Sequence, residues 1–389
     1  MAGDAPKGGI FERMAHGYFY GDNQYAKHSY DEELSAEEWA SLRKIRIKTL
    51  LFSALAGTLG VLLLYLPPHF WPDFFTLWTF HPVIFGTEIE FPLFATLYGI
   101  VLAVAEIWFL VVINIRAVHA MAKVCSFPPK NDPDRDEHIR SLVNIGTEKN
   151  AKNELNIGLD PHQGYSKYRL MMIFIWNKVK ASLSNVVFKM LVRKILGRYA
   201  VRVVVDLAGV PVMATWNAIA ANGVLRHAKV RILAPNVIQY TALYLHKKYS
   251  NDEIFRNLLY DILQYLAIKK RSFHENHYLL SVNLLKTFRI TTKEKHHLDE
   301  KTFLQTLLQL PEEMRQDISK LMVVGMMLDG HLSLLEKKSI REMNEKGICK
   351  TNVDELKKIM AEFVNGKGIG ILKDKLEMTG VMNNSKAIV

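Results

Sequence analysis

Cysteine is scarce in this sequence: of 389 residues only Cys125 and Cys349 are cysteines, and they stand far apart. Two isolated thiols argue against a disulfide scaffold and against a thiolate zinc site, and they suit a reducing compartment. A phosphate-binding loop, a GxGxxG turn, a nucleophile elbow and an HExxH helix are all missing, so the common nucleotide, dinucleotide, hydrolase and metallopeptidase signatures are absent. Residues 1–34 are polar, charged and aromatic, and no apolar run begins before Thr49, which predicts no signal peptide. Two further scarcities are local. Between Pro161 and Asn251, fourteen Lys and Arg face one acid, Asp206, a net +13 in a chain of net +11. Between Pro67 and Glu90 there is no Lys or Arg.

Long apolar runs, by contrast, are present. Thr49–Leu66 reads TLLFSALAGTLGVLLLYL, 18 residues without a charge, and Phe91–Ile115 reads FPLFATLYGIVLAVAEIWFLVVINI, with Glu106 its one charge. At about 1.5 Å per residue each stretch can cross roughly 30 Å of hydrocarbon, so both are expected to span a bilayer. Arg43, Lys44, Arg46 and Lys48 precede the first, and Arg116 and Lys123 follow the second. Basic flanks favour the cytoplasm, so both termini are expected there and the intervening loop outside. That loop carries Phe70, Trp71, Phe74, Phe75, Trp78, Phe80 and Phe85, an aromatic density that suits the headgroup belt. Ser35 with Glu38 fits a capping box, which would start one helix at about Ala36 and carry it to Leu66. Glu106 is costly in hydrocarbon and therefore a functional suspect; the plainer reading pairs it with a neighbouring helix or leaves it protonated.

Downstream, Lys178, Lys180, Lys189, Arg193, Lys194, Arg198 and Arg202 recur among bulky apolar residues. That is the composition of a helix lying on a membrane surface, with its cations at anionic headgroups. Nucleic acid is not expected as the partner, because the chain is already anchored and carries no recognisable nucleic-acid module. Val203–Leu225 is long enough for a third span, but it contains Asp206, Pro211, Asn217 and Asn222. Its small residues Gly209, Ala214, Ala218, Ala220 and Ala221 favour close packing, and a re-entrant or surface-buried hairpin is expected.

Asp206–Pro235, DLAGVPVMATWNAIAANGVLRHAKVRILAP, resembles the hydrophobic motif of EcsC-like and YcjF-like bacterial membrane-associated proteins. The resemblance covers residues 166–235 and implies bacterial origin and membrane association. Leu310–Met343, LPEEMRQDISKLMVVGMMLDGHLSLLEKKSIREM, resembles the TerB-like helical domain of tellurite-resistance and related proteins, over residues 301–372. That resemblance implies a small all-α bundle that binds metal through acidic residues, here Asp329 and Glu336. Leu328 departs from a position that is often small in the family, and no second Asp pair is present. The same residues also have a purely structural reading. Gly330 would close one helix in a left-handed cap, and Ser333 with Glu336 would open the next by a capping box. Another such box, Ser250 with Glu253, is expected to open a helix whose apolar face carries Ile254, Leu258, Leu259, Ile262, Leu263 and Leu266. His274 and His277, spaced i, i+3, form a candidate zinc pair with Glu275 nearby; His296 and His297 stand close to Asp299. Histidines in a polar turn are commoner than either site.

The expected fold is all-α. It comprises a cytoplasmic segment to residue 48, a transmembrane hairpin over 49–115, a linker over 116–164 and a basic membrane-associated region over 165–250. A helical connector over 251–300, a TerB-like bundle over 301–375 and a tail over 376–389 complete it. The expected role is non-enzymatic and without cofactor: a bacterial inner-membrane scaffold or envelope/stress adaptor. Its expected partners are anionic headgroups, other membrane or cytoplasmic proteins and further copies of the chain. A transport or channel oligomer built around Glu106 is the alternative, and a membrane-bound metal-dependent hydrolase using the histidines is the third.

Overall fold

The structure is a computed structural model that describes residues 10–21, 34–81, 83–84, 87–88, 91–129, 132, 134–147, 157–166, 168, 171–172, 202–271, 274–293 and 296–379. It is predominantly helical; the strands among the described residues are four pairs of residues between 79 and 92. Thr79–Phe80 pairs antiparallel with Phe91–Pro92, and Val83–Ile84 with Thr87–Glu88.

A short helix, α1 (Ile10–Gly21), comes first. The next begins at the expected box: the Glu38 N–H donates to Ser35 Oγ at 3.2 Å and the Ser35 N–H to the Glu38 carboxylate at 2.7 Å. From there α2 runs over Ala36–Phe70, about 52 Å at the usual rise. It passes Leu66 although Pro67 and Pro68 have no N–H to donate: the Tyr98 hydroxyl takes up the Leu63 carbonyl and the Trp71 N–H reaches the Pro67 carbonyl at 2.9 Å. After the one-turn α3 (Pro72–Phe75), α4 (Leu93–Val124) returns antiparallel to α2. The Tyr98 hydroxyl donates to Leu63 O at 2.6 Å, and Gly60 lies against the Glu106 carboxylate. α2 and α4 are both long and apolar enough to cross a membrane, and less than a third of either apolar stretch is buried inside the protein.

The polar stretch read as a linker contains α5 (Arg135–Gly146), which buries Ile139, Leu142 and Val143 against α4 and α1. α6 then occupies Arg202–Tyr249 as one helix of 48 residues, with Pro211 and Pro235 inside it. The hairpin expected over 203–225 is therefore replaced by the first half of a straight-through element. The physical reason is close packing on α2: a β-carbon at Gly57 would stand 2.6 Å from Met213 O, so the two backbones touch where small residues permit it. Contacts fix the direction. Gly209 faces Val61, Asn222 bonds Arg46 and Lys229 covers Trp39, so α6 runs antiparallel to α2 at matching depth. The half beside the apolar stretch of α2 exposes Val212, Trp216 and Ile219.

The other half of α6 enters a second environment. The helices that follow are α7 (Glu253–Lys270), α8 (Glu275–Thr287), α9 (Glu300–Gln309), α10 (Glu312–Met327), α11 (Leu334–Glu345), α12 (Val353–Val364) and α13 (Ile369–Asp374), of which α8, α12 and α13 pack most closely on α6. One continuous apolar core joins Ile157, Val237, Leu259, Met322, Phe363 and Met378, so the boundary expected at residues 300–301 lies within a shared core. The cap of α7 is Asp252, whose carboxylate accepts from the Phe255 N–H at 2.9 Å, rather than Ser250. Its face buries Leu258, Leu259, Ile262, Leu263 and Leu266 as expected, whereas Ile254 is exposed.

Candidate functional site

Three polar features stand out, and each has a distinct chemistry. The largest is a cavity of about 700 Å³ where α2, α4, α6 and α12 meet, at the Trp39 end of the apolar helices. Arg43 and Arg46 reach it from α2, and Arg226 and Lys229 from α6; among the described residues lining it none is acidic. The cations are held in place. Arg46 Nε donates to Asn222 Oδ1 at 3.0 Å. Lys229 Nζ sits 4.4 Å from the centroid of the Trp39 ring. Arg226 donates to the carbonyl of Gly330, tying the cavity to the turn between α10 and α11. Burial, reinforced by the Arg46 charge, lowers the Lys229 ammonium to about 8, against a weaker opposing pull from Cys125. Such an assembly is repulsive by itself and attracts anions.

The second feature is Glu106. It is 8% exposed, midway along α4, and accepts from Asn217 Nδ2 on α6 at 2.8 Å. Asn217 Oδ1 and Ser53 Oγ are buried without a partner among the described residues. The bond joins α4 to α6 inside an otherwise apolar bundle, with Gly60 and Gly57 of α2 lying against the two side chains. This is the pairing with a neighbouring helix that the plainer reading of Glu106 describes, with α6 supplying the partner.

The third feature contains Asp329 and Glu336. Gly330 adopts the expected left-handed conformation (φ 67°), and Ser333 with Glu336 forms the expected box, at 3.2 and 2.8 Å. Both carboxylates then converge on Lys270 at the end of α7, whose Nζ lies 2.7 Å from Asp329 Oδ1 and 2.6 Å from Glu336 Oε1. The carbonyls of Met326 and His331 accept from the same ammonium at 3.1 and 2.9 Å. An ammonium therefore stands at the point between the carboxylates where a bridging metal ion would sit. Burial would raise the Asp329 carboxyl, but Lys270, His277 and the His331 N–H outweigh it and hold it below the usual range. For Glu336 burial wins over the same ammonium, and its carboxyl is raised.

The histidines serve the same core. His274 caps α8 by accepting from the Asn276 N–H at 3.2 Å, and His277 Nε2 bonds the Gly325 carbonyl at 2.7 Å. Glu275 is drawn to Ser141 and to the buried Arg231, 3.5 Å away. His296 Nε2 bonds Asp261 at 2.7 Å, and Asp299 caps α9. Among the described residues no group of three or more His, Cys, Asp or Glu is arranged to hold a metal ion.

Lys178, Lys180, Lys189, Arg193, Lys194 and Arg198 lie outside the described residues, and Arg202 is described only as the first backbone residue of α6. Arg43 and Arg46 figured in the sequence as flanking charges, with no sign that they meet Arg226 and Lys229. Asn217 and Lys270 were missed as partners of the acids, because each pairing joins residues far apart in the chain. Comparison with family models, curated proteins and solved structures finds no match to this chain.

Proposed function

We propose that the chain is a non-enzymatic scaffold or adaptor of the bacterial inner membrane. In this reading α2 and α4 cross the bilayer with both termini cytoplasmic, and α7–α13, of which α9–α13 are the region that resembles TerB-like domains, form the cytoplasmic platform. The observation that carries it is α6: a single helix is packed at one end on α2 and α4 and at the other is the centre of the large core. A platform fixed to its anchor by a continuous helix keeps one orientation at the membrane surface, unlike one hung on a linker. The exposed apolar belt of Leu51, Leu55, Leu59, Val101, Val104 and Ile219 supports burial in lipid, since so large an apolar surface is unsuited to water. The absence of Lys and Arg from 67–90 supports the orientation.

Impermeant thiol labelling of intact cells tests it. Thr87→Cys should react and Lys386→Cys should not, in a background where Cys125 and Cys349 are replaced by Ala. The reverse pattern overturns the orientation, and release of the protein from membranes by alkaline carbonate overturns the anchoring. Affinity purification in mild detergent should then recover the proteins that the platform holds.

A further inference from the structure

The cations of the junction cavity lie at a defined height. Arg46 and Arg43 precede Thr49, where the apolar stretch begins, by three and six residues, which places them about 4.5 and 9 Å beyond the hydrocarbon edge. The headgroup layer on one side of a bilayer is about 5–8 Å thick. On α6, Arg226 and Lys229 follow Asn222, the partner of Arg46, by four and seven residues, extending the cationic wall about another 6–10 Å inward. The cavity thus opens at Arg46, at the level of lipid phosphates, and its other three cations lie just beyond the headgroup layer, within reach of a headgroup drawn inward.

Its walls continue into lipid. Arg43 heads an i, i+4 row on α2 that proceeds through Ile47, Leu51 and Leu55, exposed by 52, 66 and 48%. Such a row is a straight ridge along a helix. A molecule with an anionic head and acyl chains would place the head among the guanidinium groups and the chains along this ridge. A soluble anion would use only the cationic part. The volume of about 700 Å³ falls within the roughly 300–1,000 Å³ of small-molecule sites.

Resting on the membrane-anchored reading above, the geometry points to a phosphate-binding site formed by Arg43, Arg46, Arg226 and Lys229 and filled by the headgroup of an anionic phospholipid. Guanidinium forks suit phosphate oxygens because two parallel N–H donors meet two acceptors. Arg226 also bonds the Gly330 carbonyl, so occupancy of the cavity bears directly on the turn that carries Asp329. This site differs from the basic stretch at 178–202 in its residues and in being a cavity rather than a surface.

Full-length protein in nonionic detergent provides the test, with native mass spectrometry reading bound ligand. The probes are dioctanoyl phosphatidic acid, dioctanoyl phosphatidylcholine, glycerol 3-phosphate and inorganic phosphate. Wild type should hold one phosphatidic acid and bind phosphatidylcholine at least ten-fold more weakly. The double variant Arg46→Gln/Lys229→Gln should bind phosphatidic acid at least ten-fold more weakly. Arg43→Gln, at an exposed position that folding tolerates, should lose several-fold, and the distant Lys338→Gln should lose nothing. Equal binding of the two lipids, or undiminished binding in folded variants, overturns the site. Glycerol 3-phosphate or inorganic phosphate binding as tightly as the lipid overturns the lipid assignment. Failure of the wild type to bind phosphatidic acid while it resists carbonate extraction counts against the cavity alone, whereas extraction by carbonate counts against the anchoring beneath it.

Discussion

The indole of Trp39, on the first turn of α2, lies directly against the backbone of Gly366, just beyond α12. A β-carbon at Gly366 would come within 2.0 Å of Trp39 Cζ2, and Gly366 holds a left-handed φ of 91°. One contact thus docks the last helices on the helix that enters the apolar bundle. Gly366→Ala should be destabilising for two reasons, about 1–2 kcal/mol for the left-handed backbone and about 1–3 kcal/mol for the overlap. In a Trp39→Ala background the second part should vanish, leaving a measurable coupling between the two sites. Additive losses in thermal melts of the four proteins would show that the two residues do not meet.

Lys270 governs a second prediction. Replacing it with Met leaves Asp329 and Glu336 buried with no counter-charge, which should cost about 3–5 kcal/mol. The triple variant Lys270→Met/Asp329→Asn/Glu336→Gln should regain much of that loss, because the uncompensated charges are gone. In the wild type, calcium, magnesium and zinc should leave the melting temperature unchanged, since an ammonium occupies the space between the carboxylates. A metal-dependent rise that disappears in Asp329→Asn would restore the metal reading of this turn.

Two part-buried histidines, His274 and His277, set a pH dependence. Burial, opposed only in part by Asp329, lowers His274 to about 4, and burial with the Lys270 charge lowers His277 to about 3. Unfolded histidines take up protons near pH 6.5. As pH falls below that value the unfolded chain binds protons that the folded chain refuses, so stability drops with acidification, by up to about 1.4 kcal/mol per pH unit for each histidine. The slope between pH 6.5 and 5 should flatten in His274→Asn/His277→Gln. An unchanged slope in urea titrations would place the acid sensitivity elsewhere.

What the sequence disclosed follows from range. Ser35 with Glu38, Gly330, and Ser333 with Glu336 are each settled within one turn of chain, and the structure has them as read. The sequence suggests Ser250 as the cap of α7, but Asp252, two residues on, accepts the Phe255 N–H, because apolar spacing fixes a helix start only to within a residue or two. The helices α1 and α5 have 12 residues each, too short to be stable without the surface they pack on, and that surface is on α4. The candidate cavity was illegible for a stronger reason: Arg46 and Asn222 are 176 residues apart. Charge composition marked both segments as basic, but only the antiparallel packing of α6 on α2, permitted by Gly57, brings the four cations together.

Asn217 and Glu106 yield a prediction about the apolar bundle. Glu106→Gln keeps a carbonyl oxygen for Asn217 Nδ2 and should melt near the wild type in detergent. Glu106→Leu removes the acceptor, and should cost about 0.6 kcal/mol and at most about 2 kcal/mol, the range of hydrogen bonds between membrane helices. Both variants should leave ion leakage from proteoliposomes unaltered. A conductance in the wild type that Glu106→Gln abolishes would instead favour the transport reading.

The final prediction concerns Lys229 and the pH at which the cavity holds its anion. With its ammonium at about 8, lowered by burial and then by Arg46, Lys229 is mostly charged at pH 7, and about a tenth of it is charged at pH 9. The groups around it do not titrate in this window. The three arginines stay cationic. The Cys125 thiol is raised to about 12, by burial and then by Glu38, and stays neutral. A phosphate monoester, with a second ionisation near about 6, is already dianionic by pH 8. Only the lysine changes, and the anion prefers its charged form, so affinity for dioctanoyl phosphatidic acid should fall several-fold from pH 7 to pH 9. Binding near pH 8–9 should take up protons, visible as a buffer-dependent heat in calorimetry. Lys229→Arg, charged throughout, should bind equally at both values. A parallel fall in Lys229→Arg would assign the pH dependence to another group and remove Lys229 from the site.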